Sequence, residues 1–378
     1  MGALDGLKIA DFSWVGAGPR ATKDLADNGA TVIKIESRKR LDLGRMSPPF
    51  AGDPKDVDGS AFFAQTNTSK RSVTVNLSDP RGIEIAKKLV AWADVVVENF
   101  GPGFMERIGL HYQALRKIKP DIILASVSVA GRTGPLSGFR GYGNSAAAHS
   151  GHAWLTGEPG SPPHMPPLAY GDVVAPMFLT VAILAALEHR ARTGEGQHVD
   201  VSQIEPMVHV IADLYAQDEA KKTGNDDIDF LIHGVFPTQG DDHWIAIAVE
   251  NETQAEALKR ELGISSLDRD AISAATSAHD KFALFDRLAA AGVPAGPVLD
   301  GKNVLENPEL AAAGHFVKLD HPVLGPSNMP APPYVLHGTP GKVNRAPRLG
   351  EHNREVFIDM LGLEADEIET LIAEGCLA

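Results

Sequence analysis

One cysteine, Cys376, stands in 378 residues, so no disulfide can form within the chain. Aromatic residues are scarce at 6%. Cations are outnumbered, 35 Lys and Arg against 49 Asp and Glu, and the net charge of −14 repels a phosphate backbone. Nucleic acid is therefore not an expected partner. Long hydrophobic runs are missing as well. The longest, Val173–Leu187, falls short of the roughly 20 residues a membrane helix needs, so no membrane partner is expected. Met1–Val15 carries Asp5 and Asp11 and no cationic segment ahead of an apolar core. With a single free thiol, that reads as a cytoplasmic protein. There is no Gly-x-Ser-x-Gly elbow, His-Glu-x-x-His pair, P-loop or Cys-x-x-Cys. The 14 histidines are scattered; His149 and His152 sit three apart with no third ligand at metal spacing, so no metal site is expected.

What is present is ordinary globular material. Hydrophobic residues make up 43% of the chain, enough to bury a core, and the length suits about two domains. The charge is unevenly spread: residues 1–110 carry a net +1 and the remainder −15. The cations of the first part fall in clusters, Lys34, Arg38, Lys39, Arg40 and Arg45, then Lys70 with Arg71, then Arg107 alone. They read either as a solvated surface or as a site for a small polyanion.

Periodicity places strands at Leu7–Val15, Thr31–Ile35, Ser72–Leu77, Asp94–Glu98 and Ile122–Val127. Helices alternate with them at Arg20–Asn28, Pro80–Trp92 and Met105–Ile118, which predicts a parallel, doubly wound α/β sheet. Residues 131–167 read as long loops around a short helix, Asn144–His149. Val173–Arg190 is apolar almost all round and is expected to be buried all round. Val199–Val201 opens a further segment, and Gln203–Gln217 reads as helical. Lys221–Asp229 is polar and acidic, like a linker. A smaller α/β unit follows, with a strand at Trp244–Val249, helices at Thr253–Leu262 and His279–Ala291, and an extended stretch Pro294–Leu299. Residues 320–348 are Pro-rich and extended, and helices at Asn353–Leu361 and Ala365–Ala373 close the chain.

Two motifs carry chemistry. Gly16-x-Gly18-x-x-Ala21 follows a strand and opens a helix, with Glu36 twenty residues on, as in a dinucleotide-binding turn. Pro19 removes one of the N–H groups that would cradle phosphate, so a tight strand-to-helix turn stands beside the nucleotide reading. The second is Tyr170-Gly171-Asp172, just before the apolar helix. Asp172 reads either as a helix N-cap or, kept anionic by the helix N-terminus, as a covalent nucleophile with room beside Gly171.

Taken in order, the motifs resemble the class III (family III) CoA-transferases of the CaiB/BaiF type. The pieces are Asp11-Phe12-Ser13 through Ala17-Gly18-Pro19, Leu25-Ala26-Asp27-x-Gly29-Ala30 through Glu36, and Asn67-x-x-Lys70-Arg71-Ser72-Val73. Then come Val97-Glu98-Asn99-Phe100-x-Pro102-Gly103, Tyr170-Gly171-Asp172, Arg192-Thr193-Gly194-x-Gly196-Gln197, and Ala346-Pro347-x-Leu349-Gly350-Glu351-His352. The resemblance spans essentially the whole chain. It implies a Rossmann-like large domain (1–220 with 321–378), a linker (221–230) and a small domain (231–320), interlocked as a homodimer. It implies coenzyme A as acyl carrier, acyl-CoA and carboxylic acid substrates, no metal, and Asp172 as the catalytic carboxylate. Val15, Gly16, Ala17, Arg38 (or Ser37 beside it), Val75, Asn99, Phe100 and Arg107 match CoA-contact positions, and Tyr142 and His149 fall at the acyl pocket. The chain departs from relatives at Ser78, at Ser128-Val129-Ala130-Gly131, at Ala147 and at His149, and lacks a clear glycine-rich loop near His233-Gly234. These departures bear on the acyl group. An α-methylacyl-CoA racemase, whose His-Asp pair would fall at Tyr142-Gly143, remains an alternative. So do a hydride-transferring dehydrogenase and a non-catalytic CoA-binding paralogue.

Overall fold

Short β-branched runs recur between amphipathic helices through the first 200 residues, and they pair side by side. In the computed structural model, which describes residues 1–216 and 221–377, they build one six-stranded sheet. Its strands are β1 (Lys8–Asp11), β2 (Thr31–Glu36), β3 (Arg71–Thr74), β4 (Val95–Glu98), β5 (Ile123–Ser128) and β6 (His198–Ser202). The order is β3-β2-β1-β4-β5-β6 and every pairing is parallel. Strand order therefore reverses between β1 and β4. In such sheets the carboxyl ends of the strands at the reversal open a crevice where ligands bind.

Both faces of the sheet are covered, which explains runs such as Val95-Val96-Val97 that are apolar without alternation. On one face Ala10, Ile33, Val73, Val96 and Leu124 pack with helix Pro80–Trp92 and with Val356, Phe357, Ile368 and Leu371 of the tail. On the other, Ile9, Val32, Val95, Val97, Ile123 and Val127 pack with helices Ala17–Asp27 and Gly171–Thr193. Each large side chain so buried contributes about 1.5–3 kcal/mol. The tail also covers the edge strand: Thr74 N–H donates to Asn353 Oδ1 at 2.9 Å, and Thr74 Oγ1 donates to the Leu377 carbonyl at 2.7 Å.

The described residues form two compact units, a larger one of 1–153, 165–216 and 311–377, and a smaller one of 154–164 and 221–310. The smaller unit has an antiparallel sheet of β7 (Ile232–Pro237), β8 (Trp244–Val249) and β9 (Ala295–Pro297) in the order β7-β8-β9. Its helices begin at Asn251, Asp268 and Asp280, each of which caps its own first turn. Phe236, Ile247, Leu258, Ile272, Leu284 and Leu288 form its core.

Several expectations need correction. The first helix starts at Ala17, not Arg20, because a proline is tolerated in a first turn whose N–H groups have no helical partner. The stretch Met105–Ile118 is two helices, Phe104–Arg107 and Tyr112–Ile118, interrupted around left-handed Gly109. Gln203–Gln217 likewise divides into Ile204–Val210 and Ala212–Tyr215, and Gln217 lies outside the described residues. Residues 320–348 are not simply extended: β10 (Phe316–His321) and β11 (Gly325–Pro330) pair as an antiparallel hairpin. The largest correction concerns the long helix, which runs Gly171–Thr193. Val174, Ala175, Leu179, Ile183 and Ala186 are buried, but Met177, Phe178, Val181 and Leu184 are exposed. One stripe faces the sheet, and the chain itself leaves the other apolar stripe uncovered. Among the described residues this is the one helix long and apolar enough to cross a membrane by length and composition.

Candidate active site

The crevice at the β1–β4 reversal is framed by an unusually well-held turn, residues 12–16. Asn99, just past β4, clamps the Trp14 backbone from both sides: Trp14 N–H donates to Asn99 Oδ1, and Asn99 Nδ2 donates to the Trp14 carbonyl, both at 2.7 Å. Asp42 accepts from the backbone N–H of Val15 and of Gly44 at 2.8 Å through Oδ1. Its Oδ2 pairs with Lys34 Nζ at 2.9 Å, both side chains fully buried. Lys34 Nζ in turn donates to the Ser13 carbonyl at 2.7 Å. Beneath them, Asp11 accepts from Ser13 N–H, Thr22 Oγ1 and Lys70 Nζ. Burial pulls the Lys70 ammonium down to about 8 although Asp11 beside it opposes the shift. The result of all this bracing is Val15 at φ +63°, a left-handed conformation that a β-branched residue adopts only under constraint.

Asp172 lies beside this turn. It is not the N-cap of the long helix; Tyr170 holds that place, and Asp172 sits in the first turn. Its carboxylate is engaged elsewhere. Gln203 Nε2 donates to Oδ1 at 2.5 Å, and the Gly143 backbone N–H also stabilises the anion. A Cβ on Gly143 would lie 2.7 Å from the Asp172 nitrogen and 3.0 Å from Cγ, so only glycine lets that amide approach. A Cβ on Gly16 would lie 3.2 Å from the Asp172 Cβ and 3.6 Å from Oδ2, so Oδ2 faces the turn. Burial raises the Asp172 pKa; Gln203, the Gly143 N–H and the field of Arg20 pull it back.

A cleft of about 1580 Å³ runs from the turn to this carboxylate. That exceeds the roughly 300–1,000 Å³ typical of a small-ligand pocket and suits a long ligand. Of the residues singled out in the sequence, Val15, Gly16, Ala17, Val75, Asn99, Phe100, Arg107, Tyr142 and Asp172 all line it. Two expected residues do not, although Ser37, the stated alternative to Arg38, does. Arg38 turns to the tail, where its Nη2 donates to the Leu349 carbonyl at 3.2 Å. His149 packs edge-on against the Phe139 ring at 4.9 Å, outside the lining. The cations that do line the cleft are Lys39, Arg40, Arg107 and Arg140. Arg40 sits over the Trp14 ring at 5.6 Å, and Trp14 meets Phe100 edge-on at 5.5 Å. Sequence reading missed Trp14, Arg140, Gly143 and Gln203. Gln203 lies one residue beyond β6 and 31 residues from Asp172, with no motif to mark it. The Glu36 carboxylate is engaged within the protein: its two oxygens accept from Arg45 Nε and Nη2 and from Ser72 Oγ, all at 2.8 Å. Among the described residues no cluster of three His, Cys, Asp or Glu could hold a metal ion.

The sequence model of CoA-transferase family III matches residues 4–353. The chain belongs to CoA-transferase family III. It is 32% identical to succinyl-CoA:glutarate CoA-transferase of Mus musculus, over 100% of this chain and 91% of the relative. It is 30% identical to formyl-CoA:oxalate CoA-transferase of Streptomyces coelicolor, over 99% of each. A CAIB/BAIF family protein from Brucella suis has a similar structure, with a TM-score of 0.87 at 31% identity, covering 95% of this chain and 99% of that one. The protein is thus a CoA-transferase with the CaiB/BaiF fold, and CoA is its substrate. The larger unit brings a long cleft, the cations Lys39, Arg40, Arg107 and Arg140, and the Asp172 carboxylate together.

Proposed function

We propose that this CoA-transferase passes CoA from an acyl-CoA to a carboxylic acid through covalent intermediates on Asp172. The observation that carries the reading is a buried, hydrogen-bonded carboxylate lining the long basic cleft. A thioester is already activated, so an ionised carboxylate suffices as nucleophile. Asp172 attacks the thioester carbonyl carbon, the C–S bond breaks, and a mixed anhydride forms with release of CoA thiolate. The thiolate attacks Asp172 Cγ and expels the donor's carboxylate, leaving an aspartyl-CoA thioester. The acceptor carboxylate displaces CoA to form a second anhydride, and the thiolate takes the acceptor acyl group, restoring Asp172. Each step exchanges one acyl bond for another, and no net proton is needed.

CoA would lie with its pantetheine arm along Val15–Ala17, Val75, Asn99 and Phe100. Lys39, Arg40 and Arg107 are on the cleft and would meet its phosphates, in place of Arg38. The named relatives act on short dicarboxylic acids, and that class is our candidate acceptor here. We further propose a homodimer, with the exposed stripe Met177, Phe178, Val181 and Leu184 covered by a second copy, since an apolar face of this length seldom stays in water.

Succinyl-CoA and a panel of other short acyl-CoAs are incubated with the enzyme, quenched with hydroxylamine, and mapped by peptide mass. Modification confined to the Asp172 peptide is expected, and Asp172→Asn keeps the fold but abolishes both modification and transfer. Near-normal transfer by Asp172→Asn would refute the assignment.

A further inference from the structure

The two oxygens of the Asp172 carboxylate are not equivalent. Oδ1 is held by Gln203 Nε2 at 2.5 Å, whereas Oδ2 faces Gly16 and the turn of the cleft. A carboxylate only accepts hydrogen bonds, so the amide must present its N–H₂ to it. Gln203 is itself rigidly placed. It is 4% exposed, and its backbone N–H donates to the carbonyls of Ser128 at 2.8 Å and Val129 at 3.1 Å. Ser202 Oγ next to it donates to the Val129 carbonyl. The end of β6 is thereby tied to the end of β5, and the Gln203 side chain is delivered to the reacting carboxyl without a loop to adjust.

We propose that Gln203 is the donor that assigns the two oxygens their roles. It holds Oδ1 as the spectator, leaves Oδ2 as the attacking atom, and binds the negative charge that Oδ1 acquires whenever Cγ is attacked. This rests on Asp172 being the nucleophile. In the first step Oδ2 bonds to the thioester carbon and CoA thiolate leaves. In the second, the thiolate adds to Cγ, the C=Oδ1 electron pair moves onto Oδ1, and Gln203 N–H stabilises that oxyanion. Collapse re-forms C=Oδ1 and breaks Cγ–Oδ2, so the departing acid carries Oδ2 away. Attack of the acceptor carboxylate on the aspartyl thioester passes through the same oxyanion, with thiolate as leaving group. The two steps at Cγ therefore depend on Gln203, while the two steps at substrate carbonyls do not put charge on Oδ1. Preorganised donors of this kind are effective because they are already aimed when the charge forms.

The charged surroundings make the role testable by pH. Arg20, on the helix that follows the turn, favours the Asp172 anion through its charge. Removing the Gln203 amide leaves Arg20 and the Gly143 N–H as the groups opposing burial. Asp172 then needs a higher pH to ionise.

Wild type, Gln203→Leu and Gln203→Glu are compared with succinyl-CoA as donor and glutarate as acceptor, from about pH 4 to 8. Rapid-quench intact mass gives the fraction of enzyme carrying CoA. For Gln203→Leu, kcat is expected to fall about 100-fold, a usual loss for one oxyanion donor. KM for succinyl-CoA changes little, the acid limb of the rate profile moves to higher pH, and with succinyl-CoA alone the CoA-carrying form appears more slowly. Gln203→Glu offers a donor only while protonated, so its rate declines with rising pH where the wild-type rate is level. That second variant keeps the test sound should Gln203→Leu fold poorly. A wild-type acid limb and a wild-type rate of appearance of the CoA-carrying form in Gln203→Leu, or a wild-type pH profile in Gln203→Glu, overturns the proposal. Wild-type enzyme that no acyl-CoA of the panel labels at Asp172 refutes the nucleophile reading itself, and this one with it.

Discussion

Asp42 couples the stability of the larger unit to the shape of the turn on which we propose CoA lies, and replacing it should separate the two. In Asp42→Ala, Lys34 loses its direct ion-pair partner while fully buried, keeping the Ser13 carbonyl, the Phe63 ring and the fields of Asp11 and Glu36. Stranding one partner of a buried pair typically destabilises by about 3–5 kcal/mol, for a unit of this size a fall in melting temperature of roughly 10 °C. The same change removes the acceptor for the Val15 and Gly44 N–H groups. Val15 then relaxes out of its left-handed conformation, which stores about 1–3 kcal/mol. CoA must restore that conformation on binding, so its Kd should rise by about 10-fold or more. Asp42→Asn keeps the Oδ1 acceptor and loses the charge. It should therefore lose stability comparably but bind CoA more nearly like wild type. Urea unfolding measures the first quantity and calorimetric titration with free CoA the second. Unfolding of Asp42→Ala within about 1 kcal/mol of wild type would refute the stability argument. Equal CoA affinity in Asp42→Ala and wild type would refute the link to the turn.

Two further outcomes are expected. Val181→Glu, in the centre of the exposed stripe and 66% exposed, should leave the isolated chain within about 0.5 kcal/mol of wild-type stability but give a monomer by light scattering; an unchanged dimer would remove that stripe from the interface. Glu351 is held down to about 2 chiefly by its hydrogen bonds with Arg345, helped by the Arg348 backbone N–H. Because the folded pKa is depressed, the stabilisation is complete above the ordinary carboxylate range and disappears as pH falls through about 2. The pair is partly solvated, so Glu351→Gln should cost about 1 kcal/mol at neutral pH and close to nothing near the folded pKa, measured by urea unfolding at both. A loss that persists in acid would contradict the electrostatic origin.

The sheet was legible because parallel strands buried on both faces leave continuous apolar runs. Ile33, Val73, Val96 and Leu124 could be placed by composition alone, and the Pro-led helix Pro80–Trp92 was found to the residue. The glycine turn and Tyr170-Gly171-Asp172 were legible as motifs, because close approach demands small residues at fixed positions. The rest depended on distance in sequence. Gln203 reaches Asp172 only because β6 pairs with β5, and nothing in Ser202-Gln203-Ile204 announces it. Arg38 and Arg40 are equivalent as sequence; which of them meets the cleft was decided by the tail, whose Leu349 carbonyl captures Arg38. The spacing of Glu36 from the glycine turn matches a ribose ligand, and only the fold pairs it with Arg45.

The sequence by itself determined that this protein is a globular α/β chain, acidic overall yet locally basic, with one carboxylate at the start of a long apolar helix. Those are properties of residue type and spacing, which short-range physics translates directly into elements. Only the tertiary structure decided which oxygen of Asp172 is held, which cations share its cleft, and that the long helix leaves one apolar side uncovered. Those depend on contacts between residues far apart in the chain, and such contacts are fixed by packing, on which local pattern is silent.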